Sequence, residues 1–217
     1  MKKIFAFAGI LALTIIPTTS FSGHLDAKES EIRPRGNLFH TNLRGRNLLG
    51  ASLTGAFLPY ADLYAAILFR TDLSNANLRD SNLSGAILSS ADLSNSNLNS
   101  VNLTDAILMR ADLSNANLRD SNLSGAILSN ADLTDADLYA AILFRTDLSN
   151  ANLRDSNLSG AILSNANLTD AILMRADLSN ADLSNADLRG IIATNLKGCP
   201  RTLPTSWVCE NNSLIQL

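Results

Sequence analysis

The sequence predicts a solenoid, a chain wound in stacked coils with five residues on each side of a coil. Three observations carry that prediction. Leucine stands at every fifth position from Leu38 to Leu188 without exception, 31 in all. The residue two places before each leucine is small almost throughout, as at Ala51, Ala56, Ala61, Ala66, Thr71, Ala76, Ser81 and Ala86. The residue just before it is mostly Asn or Asp, as at Asn77, Asn82, Asp92 and Asn97, and the two that follow draw heavily on Ser, Thr, Arg, Asn, Asp and Gly.

A period of five fits no single regular element. On an α-helix each leucine would land about 140° round from the last, so leucine and aspartate alike would cover every side and no apolar face would form. In a strand a step of five turns the side chain to the opposite face each time. The period makes physical sense when every five residues form one side of a coil and the chain turns at each corner. Leucine then fills the interior and the small residue before it leaves room. Asn, Asp and Gly suit the corners, because they tolerate left-handed backbone and cap turns with side-chain hydrogen bonds. Composition agrees: 46% of residues are hydrophobic but only 5% aromatic, a core of Leu, Ala and Ile.

Units such as SNANL, RDSNL, SGAIL and SNADL resemble the A(D/N)LXX consensus of the bacterial pentapeptide repeat family, and the resemblance covers residues 36–190. It implies an all-β solenoid, a right-handed quadrilateral β-helix with four pentapeptides per coil. The central leucine and the residue two before it would point inward, and the other three outward. The repeats would make about 7–8 coils, a rod roughly 37 Å long at ~4.8 Å per coil.

In chain order, residues 1–22 read as a signal peptide. Lys2 and Lys3 precede an uncharged run, Ile4–Ile16, that is short for a membrane span; Pro17 breaks it, and Ser20 and Ser22 suit a cleavage site. The alternative is an uncleaved anchor. Cleavage near Ser22 would export the chain to the periplasm or beyond, leave no transmembrane span in the mature chain, and take its formal charge from −3 to about −5. Residues 23–35 form a lead-in without repeats, with Pro34 before the first unit. The array follows at 36–190. At Ala193 the leucine is missing, and residues 191–217 read as a C-terminal cap containing the lone Trp207. Burial over the open end is the ordinary role for that tryptophan, with a sugar platform or partner anchor as the other reading. Cys199 and Cys209 are expected to form a disulfide, since an exported chain with an even cysteine count favours one. Their spacing matches neither a zinc site nor a CxxC redox motif.

The same reading excludes most chemistry. The two histidines, His24 and His40, lie near the N-terminus, which leaves most of the chain without the commonest general base and metal ligand. There is no GxxxxGK[ST] and no HExxH, and with no histidine in the array beyond His40 a Ser–His–Asp arrangement is not expected. The expectation is a non-enzyme with no cofactor and no metal. The NLS, NLT and NNS triplets arise from the repeat and carry no weight as modification sites.

With four repeats per coil, residues twenty apart stack on one face. Two columns stand out. One is an acidic ladder, Asp72, Asp92, Asp112 and Asp132, followed by Asn152. It could be a solvated face, a cation site, or a DNA mimic like the cytosolic family members that bind type II topoisomerases. Its charges, ~4.8 Å apart, are far sparser than one per ~1.7 Å in duplex DNA, and Arg70 and Arg110 fall at the adjacent corner. That argues against nucleic-acid mimicry. The other column is apolar: Ile67, Ile87, Ile107 and Ile127, joined by Phe69 and Met109, with Tyr64 alongside. An exposed stripe of this kind marks a surface for an unidentified protein partner or for self-association, unless flanking side chains cover it. The functional expectation is an exported, non-catalytic rod acting as a structural or interaction module, with the DNA mimic as the alternative. Finally, Ala61–Ser89 recurs letter for letter at Ala136–Ser164, 75 residues on. That is three coils and three sides, so a site tied to one face would be scrambled between the copies.

Overall fold

Every five-residue unit forms one side of a coil, and twenty residues complete a circuit, in the computed structural model, which describes residues 25–26 and 31–217. The expected signal peptide and its cleavage site lie outside the described residues, as do residues 23–24 and 27–30 of the lead-in. Each side contributes a single parallel β-bridge to the coil above and below it, so the fold is all-β without long strands. The column Asp72, Asp92, Asp112, Asp132 is one such ladder, and Ile67, Ile87, Ile107, Ile127 is another.

The backbone accounts for the regularity. On one side, the Leu73 amide donates to the Asp92 carbonyl at 2.7 Å, the Asn75 amide to the Ser94 carbonyl at 2.9 Å, and the Asp92 amide back to the Thr71 carbonyl at 3.0 Å. The turn then closes with the Ala76 amide on the Leu73 carbonyl at 3.0 Å. Its third residue, Asn75, has φ 58°. Positive φ at the third position is what a type II turn demands, and it recurs at every corner from Arg35 to Asn195. This is why Asn, Asp and Gly gather there. Ala65 and Arg70 occupy the same conformation at φ 53° and 56°, against their intrinsic preference.

Inside, the leucines from Leu38 to Leu188 are buried, together with most of the small residues two places before them. Burying each leucine contributes about 1.5–3 kcal/mol before conformational entropy is set against it. Where the small residue is polar, its hydroxyl finds a backbone carbonyl. Ser81 donates to Leu78 and Ser121 to Leu118, both at 2.6 Å, while Thr71 reaches Leu48 at 2.8 Å and Thr146 reaches Leu123 at 2.9 Å. Among the described residues no buried side-chain polar atom lacks a partner.

Both ends are closed by non-repeat chain. Strand β1 (Leu25–Asp26) pairs in parallel with β2 (Thr41–Asn42) of the first coil, and Ile32 packs against the core. At the other end the ladder outlasts the leucine spacing: Ile172 bridges Ile192, Asp177 bridges Gly198, and Asp182 bridges Thr202. Ala193 and Leu196 fill the interior there. The step from Asp177 to Gly198 is one residue longer than twenty, so sequence periodicity alone loses the trail. The chain then forms an antiparallel hairpin of β3 (Trp207–Glu210) and β4 (Ser213–Gln216). Leu214 is buried, and Ile191, Leu203, Trp207 and Cys209 pack against the core. The Leu196 amide donates to the Asn212 carbonyl at 2.8 Å and the Leu214 amide to the Ala193 carbonyl at 3.0 Å. Cys199 and Cys209 are joined by a disulfide with 6.0 Å between their Cα atoms. Gly36 and Gly198 stand where these caps meet the coils: a Cβ at the first would run into the Glu31 carbonyl, and at the second into Ser179.

Candidate interaction surface

The Asn or Asp before each leucine has a specific task. Its Oδ1 accepts the backbone amide two residues ahead, at the start of the next corner. Asn77 does this for Arg79 at 3.1 Å, Asp92 for Ser94 at 2.9 Å and Asn97 for Asn99 at 3.1 Å. The whole acidic ladder works in this way: Asp72 accepts from the Ser74 amide, Asp92 from Ser94, Asp112 from Ser114 and Asp132 from Thr134, all at 2.9–3.0 Å. Asp72 also accepts the Thr54 hydroxyl at 2.6 Å, which, with the bonds from Ser74, holds its carboxyl below the usual aspartate range. Asp132 accepts the Asn152 amide group at 3.2 Å. Arg70 and Arg110 make no ion pair with the ladder among the described residues. Nor do the carboxylates converge: no group of three or more His, Cys, Asp or Glu able to hold a metal occurs among the described residues. The ladder is a stack of turn caps.

The apolar column stacks on the neighbouring side. Ile87 is 36% exposed, while Ile67, Ile107 and Ile127 are half-buried. Tyr64 and Phe69 stand at the two corners flanking Ile67, and Met109 stands beside Ile107; Tyr64 and Met109 are exposed and Phe69 is half-buried. The side-chain neighbours of Ile67 therefore cover part of the column without closing it.

Two arginines complete this cluster: Arg44, which the sequence reading did not place, and Arg70, which it set beside the acidic ladder. The Arg44 guanidinium lies 4.3 Å over the Tyr64 ring and bonds the Asp62 carboxylate at 2.9 Å, and Asn82 donates to the other Asp62 oxygen at 3.1 Å. Arg70 lies 5.1 Å over Phe69. The signal was available, since Arg44 and Tyr64 are twenty residues apart and so share one corner on successive coils. The same cluster recurs further along. Arg119 lies 4.3 Å over Tyr139 and bonds Asp137 at 3.0 Å; Asn157 donates to Asp137 at 2.9 Å; Arg145 lies 4.8 Å over Phe144; Ile142 bridges Ile162. The 75-residue step does end the isoleucine column, which continues after Ile127 as Asp147, while the separate column of Ile142 and Ile162 passes to Asp182. It does not scramble the cluster, because the cluster is local and turns as a body by one side.

A second exposed aromatic group lies on the first coils. Phe39 stacks on Phe57 with ring centroids 6.1 Å apart and meets Tyr60 edge-on at 5.9 Å.

A four-sided rod with a continuous leucine interior and turn-capped sides is a β-helical repeat scaffold. The model for pentapeptide repeats matches residues 37–68, 66–105, 111–150 and 151–190, and the chain belongs to that family, with its right-handed quadrilateral β-helix and its non-catalytic character. Among solved structures, HetL, a pentapeptide repeat protein involved in heterocyst differentiation regulation in the cyanobacterium Nostoc sp. strain PCC 7120, is 30% identical; the match covers 80% of this chain and 97% of HetL, with a TM-score of 0.42. A pentapeptide repeat protein from the thylakoid lumen of Arabidopsis thaliana is 29% identical over 54% of this chain and 77% of its own, with a TM-score of 0.43. QnrB1, a plasmid-mediated fluoroquinolone resistance protein, is 17% identical over 79% of this chain and 92% of its own, with a TM-score of 0.46. No curated protein matches. Among the described residues no helix is long and apolar enough to cross a membrane.

Proposed function

We propose that this chain is an exported, non-catalytic rod that serves as a structural or protein–protein interaction module, and that the surface around Ile67, Ile87, Ile107 and Ile127 is where it meets its partner. The observation that carries this reading is what those isoleucines replace. On most other sides the same position holds Asn or Asp, whose Oδ1 caps the next corner. Isoleucine has no acceptor, so each one forgoes a hydrogen bond of about 1 kcal/mol. In return the rod gains a continuous apolar stripe, which is the usual mark of a binding surface. The charged leader and the cysteine pair in the cap support export.

Two measurements test this reading. Cell fractionation with sequencing of the mature N-terminus should find the chain outside the cytoplasm and beginning near Gly23. A full-length cytoplasmic product would sink the export claim and restore the topoisomerase-binding alternative. Separately, Ile87→Asp combined with Ile107→Asp should change oligomeric state or partner capture. If size-exclusion and pull-down behaviour stay unchanged, the stripe is surface and no more.

A further inference from the structure

We infer that the recognition unit is not the four-coil isoleucine column but the local Arg–Tyr–Ile–Phe–Arg cluster, present twice, and that its occupant is the C-terminal cap of a second copy of this chain. This rests on the interaction reading above and names its partner.

The recurrence is more than copied sequence. The identical blocks are Ala61–Ser89 and Ala136–Ser164, yet Arg44 and Arg119 lie outside them. Their surroundings differ: Gly45 against Asp120, and Leu49 against Ser124. Even so, each guanidinium sits 4.3 Å over its tyrosine and bonds the equivalent aspartate. Arg70 and Arg145 add a second shared feature. Both occupy corners at φ 56°, where Asn or Gly would be less strained. Both lie over a phenylalanine, and neither has a carboxylate within ion-pair distance among the described residues. Each cluster thus presents apolar side chains beside a guanidinium open to an incoming carboxylate.

The cap carries the complement. In the β3–β4 hairpin, Cys209 pairs with Leu214, which is buried toward the core, so the adjacent pair Val208 and Ile215 faces away. Ile215 is 44% exposed, and Glu210, two residues beyond Val208 on the same face of β3, is exposed as well. Aliphatic side chains next to one carboxylate match an apolar cluster next to one free arginine.

The cap and its receivers are different surfaces, so the contact is heterologous and can continue from copy to copy beyond a dimer. The receivers are a quarter circuit apart in direction and about 18 Å apart along the rod, at ~4.8 Å per coil. A contact made by one hairpin face on one local cluster is expected to be weak and to grow with concentration.

The experiment uses the disulfide-intact chain itself. Sedimentation velocity over about a hundredfold concentration range should show the weight-average coefficient rising past that of a dimer, without a plateau there. Glu210→Arg should abolish the rise, as should Arg70→Glu combined with Arg145→Glu. Neither variant alone has a cap and a receiver of opposite charge. Mixed, they should associate again, because each cap then meets the oppositely charged receivers of the other chain, and joining all three changes in one chain should restore self-association. All three positions are exposed, and unchanged circular dichroism confirms folding. A wild-type chain that stays monomeric, a rise indifferent to Glu210→Arg, or a mixture of the two variants that stays monomeric overturns the inference. A monomeric rod that still loses an external partner through Ile87→Asp and Ile107→Asp would refute the inference while leaving the broader reading intact.

Discussion

The Asp92 carboxylate accepts both the backbone amide and the hydroxyl of Ser94, at 2.9 and 2.6 Å. One oxygen therefore satisfies the corner amide that the coil ladder leaves over. Asp92→Ala should lower stability by about 1 kcal/mol, the ordinary loss for a turn or cap acceptor. Asp92→Asn keeps the acceptor and should cost only a few tenths of that. Urea midpoints of the two variants check this. Equal losses would mean that the charge matters and the cap does not.

The C-terminal cap is predicted to be the point from which the rod opens. Its disulfide spans a separation of 10 residues, for which the chain-entropy relation gives roughly 3 kcal/mol. Stability in a stacked array is close to a sum of coil and neighbour terms, so loss of the clamp acts first on the adjacent coils. In Cys199→Ser combined with Cys209→Ser, hydrogen exchange should quicken at Leu196 and Leu214, whose amides tie the cap to the last coil, while Leu83 and Leu103 keep their protection. Uniform acceleration along the chain would refute end-first opening.

How far the sequence led can be judged from particular residues. The leucine ruler was sufficient for the coil, because a period of five has one physical solution and the buried leucines mark it directly. Stacking by twenty placed Asp72 above Thr54's coil and Ile67 beside Ile87, so the columns were legible too. What the aspartates do was not, since an Oδ1 reaching two residues ahead depends on the corner conformation. Arg44 over Tyr64 was readable in principle, being twenty apart at one corner, but the eye followed the position before leucine and not the one after it. The continuation of the ladder into residues 191–217, through Gly198 and Thr202, escaped because the extra residue before Gly198 breaks the count just where the repeat pattern fades.

Acid should weaken the rod through its capped carboxylates. The Thr54 hydroxyl, ahead of the bonds from Ser74, lowers the Asp72 carboxyl from its ordinary value of 3.8, and the Thr202 hydroxyl, with the Ser184 amide, does the same for Asp182. A folded-state value below the unfolded one means that the contribution is full above pH 3.8 and is lost as pH falls through the folded value. Urea unfolding followed from pH 6 downward should therefore show constant support from these groups until about pH 4 and a decline below it. Thr202→Val removes the first-named donor to Asp182 and should shrink the decline. If the slope below pH 4 is the same in that variant, the Asp182 bond is not a source of the acid response.

Removing whole coils should be tolerated where removing other lengths is not. Residues 91–110 make one circuit, and without them Asp72 would stack on Asp112 as it now does on Asp92. The leucine ruler, the corner sequence and both caps would keep their places, so the chain should fold as a rod shorter by ~4.8 Å. Deleting the seven residues 91–97 instead moves every later leucine two places off its interior position. It forces Asn or Asp inward, where an unsatisfied polar group costs about 1–3 kcal/mol. Small-angle scattering of the first variant should give the shortened rod with a nearly unchanged cross-section, and its β-signal in circular dichroism should persist. The seven-residue deletion should melt well below it. Equal stability of the two would show that the five-residue register does not govern this fold.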